Sequence, residues 1–295
     1  MKNYIFTDLA YELQIGDDGI NDLLWKEERL EHNIWIIRCR MDTEKEQGAK
    51  RKKGDCVTVF SDPIWALGEE AFQSLRRCLS DELRRMIKHL TGVERMNESV
   101  SVLVIGLGNA QITADSLGPV TVEKIKVTRH LFDLYGMLAD TPTCAVSAFV
   151  PGVLGNTGIE SVELIRGAVE AVQPDLVIAV DALAAKSHER IAATVQLSEG
   201  GILPGSGIGN LRKAVSYETL GVPVLALGVP TVINSATLIA EALRQGGIFE
   251  VPKEMRSLLE NGKNFFVTPK ESDWIVKSVS HLLAAAIDGA CTSEE

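Results

Sequence analysis

The stretch Val102–Gly118, VLVIGLGNAQITADSLG, decides how the chain is read. Val102 to Ile105 is an uninterrupted apolar run, as expected of a strand buried on both faces. Gly106, Leu107, Gly108 and Asn109 then break it, and Asp115 arrives just before a long amphipathic run. A second stretch has the same form: Leu176–Asp181, LVIAVD, is apolar and ends on a carboxylate. In an alternating α/β chain, ligands and chemistry gather in the loops that leave the carboxyl ends of central parallel strands. Two acids placed there, on two parallel strands, can face one crevice.

Outward from these strands the alternation continues. Thr143–Val150 is a third apolar strand, followed by a loop at 151–158 and a helix over Ile159–Val172. Ala192–Leu197 and Val222–Leu227 read as further strands. The segment between them, Gly200–Gly209 (GGILPGSGIG), is too glycine-rich for regular structure. Leu67–Leu90 carries Ala71, Leu75, Leu79, Leu83, Ile87 and Leu90 at three- and four-residue steps, which predicts an amphipathic helix. Helices are also expected over Gly118–Tyr135, with Pro119 in the first turn, and over Val232–Gln245. A last helix should open at Thr268, with Pro269 and Glu271 completing a capping box. The region 246–262 reads as irregular. Upstream, 34–39 and 56–60 are strand-like and joined by the Lys-rich segment 42–55, an antiparallel annex or separate flap. Residues 1–24 read as a peripheral arm. The expected fold class is α/β: a mainly parallel sheet with helices on both faces and a small N-terminal antiparallel flap.

The 295 residues are 45% hydrophobic, with a mean hydropathy of +0.09, and suffice for a substantial core. A net charge of −10 and a pI near 5.1 argue against nucleic-acid binding through phosphate contacts. The five cysteines are scattered and form no CxxC, consistent with buried thiols in a reducing compartment. The amino terminus has no apolar signal core, and no run reaches the length of a membrane span, so a cytoplasmic location is expected.

Gly106-x-Gly108 begins like a dinucleotide fingerprint, but Gln111 holds the third glycine position. Gly205-Ser206-Gly207 lacks the preceding glycine of a nucleophile elbow, since position 204 is Pro204. His188-Glu189 starts a zinc-protease motif that Ala192 ends. No metal or other cofactor is expected. His188, with Lys186, lies near enough in sequence to Asp181 to support it. Asp115 could instead cap the following helix, and Asp181 could bond its own loop. As a pair, flanked by Ala114 and Ser116 and by Ala182, Ala184 and Ala185, the acids leave room for substrate. Two close carboxylates would share a proton, one acting as base on a water and the other as acid.

At this point the chain resembles the germination protease family of endospore-forming bacteria. The likeness rests on GLGNAQITADSLGP (106–119), VTRHLF (127–132), VPGVLGNTGIES (150–161) and DLVIAVDALAAKSHER (175–190). It continues through GILPGSGIGNLRK (201–213), LGVPVLALGVPTV (220–232) and VTPKESDW (267–274), and FTDLAYE (6–12) is similar to the family's RTDLA segment. The resemblance implies an atypical aspartic-type endopeptidase, made as a self-processing zymogen, that degrades small acid-soluble spore proteins during germination. Its fold would be hydrolase-like, similar to the hydrogenase-maturation endopeptidases, and its assembly a homotetramer. Asp115 and Asp181 match the family's proposed catalytic aspartates. The processing junction would be Asp8–Leu9, which makes 1–8 a propeptide and 9–295 one protease domain with 30–62 as a hairpin annex. The loop amides of Gly106, Gly108, Asn109, Gly205, Gly207 and Gly209 would be candidates to hold the oxyanion or substrate. Departures from the family are a shortened stretch near 242–264 and Asn234, where the family usually has aspartate. Two rival readings are a metal-dependent maturation endopeptidase on the same fold and a non-enzymatic α/β binding protein.

Overall fold

The structure is a computed structural model that describes residues 7–9, 15–16, 19–20, 25–41, 54–135, 142–203, 213–248, 255 and 265–293. The strands of the main sheet are β1 (Trp25–Arg29), β2 (Trp35–Met41), β3 (Gly54–Phe60), β4 (Ser101–Gly106), β5 (Ala145–Phe149), β6 (Leu176–Ala185), β7 (Thr194–Ser198), β8 (Val224–Asn234) and β9 (Phe266–Val267). They lie in the order β1-β2-β3-β7-β8-β6-β4-β5, with β9 paired to the far end of β8. From β8 to β5 the pairing is parallel, as the apolar runs predict. From β1 to β8 it is antiparallel. The N-terminal hairpin is therefore a continuation of the same sheet, joined to the parallel half through β7.

Helices cover both faces. On one, Val102, Val104, Ile178 and Val180 pack with Leu75, Leu79 and Leu83 of α1 (Glu69–Thr91) and Leu282, Leu283 and Ile287 of the last helix. On the other, Leu103, Ile105, Val177 and Ala179 meet Val162, Ile165 and Val169 of the helix Ser161–Val172. A strand sandwiched in this way has no polar face, which is why it reads as continuous apolar sequence. Each buried branched side chain contributes about 1.5–3 kcal/mol.

Several elements differ from the sequence expectation. The helix expected over Gly118–Tyr135 is two, α2 (Leu117–Val122) and α3 (Arg129–Tyr135). Thr128 divides them. Its N–H donates to Val146 O at 3.0 Å, and its Oγ1 donates to Cys144 O at 2.6 Å and accepts from Val146 N at 2.9 Å. A residue bonded sideways to β5 cannot continue a helical ladder. Four further helices are α4 (Leu154–Thr157), inside the loop expected at 151–158, α5 (Ser161–Val172), α6 (Tyr217–Leu220), which the sequence reading does not expect, and α7 (Ser235–Gln245); α8 is Ser272–Ala290. The last helix starts after the expected Thr268, because that hydroxyl donates instead to Thr231 O on β8 at 2.9 Å. Strand β8 runs past the expected Leu227 to Asn234, absorbing Pro230 at a register shift. Strand β1, WKEER, is a charged edge strand with no apolar alternation to announce it. The expected loop at 42–53, most of the arm at 1–24 and 249–254 with 256–264 lie outside the described residues.

Candidate active site

Strand β4 ends at Gly106, where the N–H of Leu107 donates to Val180 O of β6 at 2.8 Å. The chain then doubles back, and three glycines permit the approach. A Cβ on Gly106 would stand 2.4 Å from Gly118 O, and one on Gly118 would stand 2.3 Å from Leu107 O and 2.5 Å from Val180 O. Gly108 has φ +110°, and a Cβ there would lie 2.1 Å from Asp115 O. No side chain fits at these contacts. The start of α2 is thus pressed onto the carboxyl ends of β4 and β6.

Asp115 closes the 3-10 turn Thr113–Asp115, and Ser116, not Asp115, is the residue before α2. The Asp115 carboxylate turns back over the β4 loop, where Oδ2 accepts the N–H of Asn109 at 2.8 Å. Asn109 is itself fixed: its Oδ1 accepts from Gln111 N at 3.0 Å, and Nδ2 of Asn156 lies 3.5 Å away. One residue before the acid, Ala114 O accepts from Thr231 Oγ1 of β8 at 2.6 Å. The turn touches both β6 and β8, so it spans the carboxyl end of the parallel half.

Asp181 stands on β6, one residue beyond the last position covered by β4, since Gly106 pairs with Val180. It is buried, and its Oδ1 accepts the N–H of Ala182 at 2.9 Å. Strand alternation puts it on the face of Val177 and Ala179. Its neighbour across the ladder is Gly228 of β8, and beyond Gly228 lies Gln196 of β7. The row Gln196–Gly228–Asp181 thus crosses three strands, and at its middle glycine makes room for the Leu183 side chain, which would lie 2.6 Å from a Cβ there.

The edge of β6 left open past Val180 is occupied by the chain itself. Asp8 N–H donates to Ala184 O at 2.9 Å, and Ala184 N–H donates to Asp8 Oδ2 at 2.9 Å. Thr7 Oγ1 donates to Ala184 O at 3.4 Å and accepts from Leu9 N at 3.1 Å. The Asp8 carbonyl oxygen faces Gln196, whose Nε2 donates to it at 3.5 Å. Leu9 is fully buried against Leu183 and Ala185, with Ile202 beside them. Residues 7–9 lie on the strand edge as an added peptide would.

The remaining sequence candidates fall elsewhere or in supporting positions. His188 is exposed and turns to Glu241 of α7, 3.3 Å from Nδ1, while Ser187 Oγ donates to the same carboxylate at 2.6 Å. Lys186 is half-buried directly after β6. The N–H of Asn109 serves Asp115. Gly205, Gly207 and Gly209 lie outside the described residues. Asn234 is the buried cap of α7, its Oδ1 accepting from Ala236 N at 2.9 Å and Thr237 N at 3.4 Å. Among the described residues, Asp55, His89 and Glu199 are one group whose side chains approach closely enough to share a cation. They sit at the opposite end of the sheet, beyond the Cys56–Ser198 pair, so the aspartates have no part in it. Sequence reading passes over Leu183 and Gln196, and takes Ala184 only as a small neighbour of Asp181. Only Gln196 left a signal: a lone amide in TVQLS, otherwise an apolar strand between two threonine-like ends.

The family model and the curated relatives agree with one another. The family model described as germination protease matches residues 7–245. The germination protease of Priestia megaterium is 41% identical over 266 residues, covering 88% of this chain and 71% of that protein. That of Clostridium acetobutylicum is 35% identical over 314 residues, covering 97% of this chain and 94% of its own. A crystal structure of the nickel–iron hydrogenase maturation protease HycI from Thermococcus kodakarensis covers 64% of this chain and 92% of its own, at 16% identity and a TM-score of 0.32. With a matching family model over most of its length and relatives of this identity, the chain belongs to the germination protease family.

Proposed function

We propose that the chain is a self-processing endopeptidase whose aspartates, Asp115 and Asp181, activate a water against the scissile peptide. Family membership gives it a protease role in spore germination. Its substrates are small acid-soluble spore proteins, cut in the spore cytoplasm by a homotetramer. The reading is carried by one observation: Thr7-Asp8-Leu9 lies along the open edge of β6, on the strand that bears Asp181. That seating supports reading the segment as a substrate-like, inhibitory propeptide. One aspartate takes a proton from water as it adds to the carbonyl carbon. The other, protonated, gives its proton to the departing amine. Residues 1–8 form the propeptide, and 9–295 act as one protease domain.

Mass analysis of the full chain during self-processing tests this. The new amino terminus should be Leu9, and Asp115→Asn and Asp181→Asn should each slow both processing and digestion of a small acid-soluble spore protein by roughly 10²–10⁴-fold. Activity retained in Asp181→Asn removes that residue from the scheme, and active material that still begins at Met1 removes the propeptide. A chelator should leave the rate unchanged; loss of activity would favour the metal-dependent reading.

A further inference from the structure

We propose that Gln196 binds the carbonyl oxygen of the peptide bond being cut and stabilises the oxyanion that forms there. This rests on the aspartate-protease reading above and adds a residue to it.

The docked segment supplies the first observation. In that reading the bond to be broken is Asp8–Leu9, and the side-chain amide that reaches its carbonyl oxygen is that of Gln196, at 3.5 Å. The second observation is where Gln196 stands. Its neighbours Val195 and Leu197 belong to the core on one face, so Gln196 points to the other, the face of Asp181. It is 9% exposed, and a primary amide so placed in a central sheet is costly unless it is hydrogen-bonded. The third is Gly228, which stands between Gln196 and Asp181 in the register. A Cβ there would come within 2.6 Å of the Leu183 side chain, so glycine at this position makes room for the residue against which Leu9 of the docked segment is buried.

The fourth observation concerns the alternatives. The backbone donors around the crevice already have acceptors: Leu107 N–H bonds Val180 O, Asn109 N–H bonds Asp115, Ala182 N–H bonds Asp181 and Ala184 N–H bonds Asp8 Oδ2. These four amides are thus engaged away from this carbonyl. At 3.5 Å the contact is long for a neutral carbonyl. Catalytic hydrogen bonds often begin long and tighten as charge develops.

The chemistry balances without a further reagent. The water oxygen bonds to the Asp8 carbonyl carbon as its proton passes to one aspartate. The carbonyl π pair moves onto the oxygen, which accepts the hydrogen bond that the Gln196 N–H donates. The pair then returns, the C–N bond to Leu9 breaks, and the leaving nitrogen takes a proton from the acid partner.

Gln196→Ala and Gln196→Leu in the full chain test the proposal; leucine keeps the bulk without a donor, so the test survives if the smaller side chain loosens the sheet. The first-order self-processing rate should fall by roughly 10²–10³-fold. Hydrogen exchange at the Asp8 amide, which bonds Ala184, should stay as slow as in the parent. The ¹³C shift of a labelled Asp8 carbonyl, read in an Asp181→Asn background that holds the segment uncut, should move when Gln196 is replaced. Processing at the parent rate in both variants overturns the proposal and leaves the aspartates untouched. Slow processing with a deprotected Asp8 amide also overturns it, since Gln196 would then only seat the segment. Failure of the parent chain to cut at Asp8–Leu9 sinks the protease reading first and this residue's role with it.

Discussion

Asn234 shows how a single side chain can depart from its relatives without disturbing the fold. The resemblance predicts an aspartate there, and in the structure the residue caps α7 through one oxygen. Asparagine and aspartate perform that service about equally. Asn234→Asp should therefore leave thermal stability nearly unchanged, with at most a few tenths of a kcal/mol gained from a negative charge at a helix start. Asn234→Ala should cost about 1 kcal/mol, seen as a calorimetric Tm lower by roughly 2–4 °C. Glycines divide in the same residue-by-residue way. A Cβ at Gly118 meets backbone oxygens from two segments, whereas one at Gly167, within α5, meets nothing within 4 Å. Gly118→Ala should abolish soluble expression or lower stability by about 3 kcal/mol or more. Gly167→Ala should raise it by roughly 0.5–1 kcal/mol, and denaturant titration distinguishes the two. The sequence displayed Gly106 and Gly108 as a loop signal, but their partner contact at Gly118 needed the fold.

Among the elements, α8 carries a carboxyl, Asp288, that no sequence pattern singles out. Burial raises the pKa of Asp288, and the N–H of Lys126, 3.1 Å from Oδ1, offsets part of that shift. The charged form is therefore disfavoured in the folded chain. An acid whose folded pKa lies above its unfolded value stabilises the fold only when protonated, and that contribution is lost as pH rises through the window between the two. Asp288→Asn keeps the acceptor and removes the charge. It should raise Tm at neutral pH, and its advantage should vanish below the ordinary carboxylate range; a pH series of melting curves checks both. Much of the element pattern was legible. Strands β4 and β6 announced themselves because burial on both faces leaves only apolar residues. The break between α2 and α3 was hidden, since the Thr128 hydroxyl reaches β5, a partner with no local signature. Strand β8 was read short because Gly228 and Pro230 look like breakers. One of them makes room for the Leu183 side chain beside Asp181, and the other marks the register shift.

For the whole molecule, the antiparallel and parallel halves share one sheet through β7 and β8. The hairpin β2–β3 should therefore not melt on its own. Tryptophan fluorescence, with Trp35 in β2 and Trp274 in α8, should report the same midpoint as far-UV circular dichroism in denaturant. Separate midpoints would make the hairpin an independent unit. The two acids could be read as strand-end carboxylates from sequence alone. The placement of Asp115 could not, because it depends on a doubled-back turn braced by Thr231.

The pocket that encloses Leu9 has a consequence for the timing of activation. Hydrolysis at Asp8–Leu9 would turn a neutral amide nitrogen into an ammonium at a residue now wholly shielded from water. A cation there has no favourable solvation, and leaving it in place would cost several kcal/mol. The freed end must swing out to water, taking Leu9 from Leu183 and Ala185 and clearing the strand edge. On the processing proposed above, such an event would run in one direction only: a molecule that had fired could not re-arm, and the latch would be spent once per lifetime of the chain.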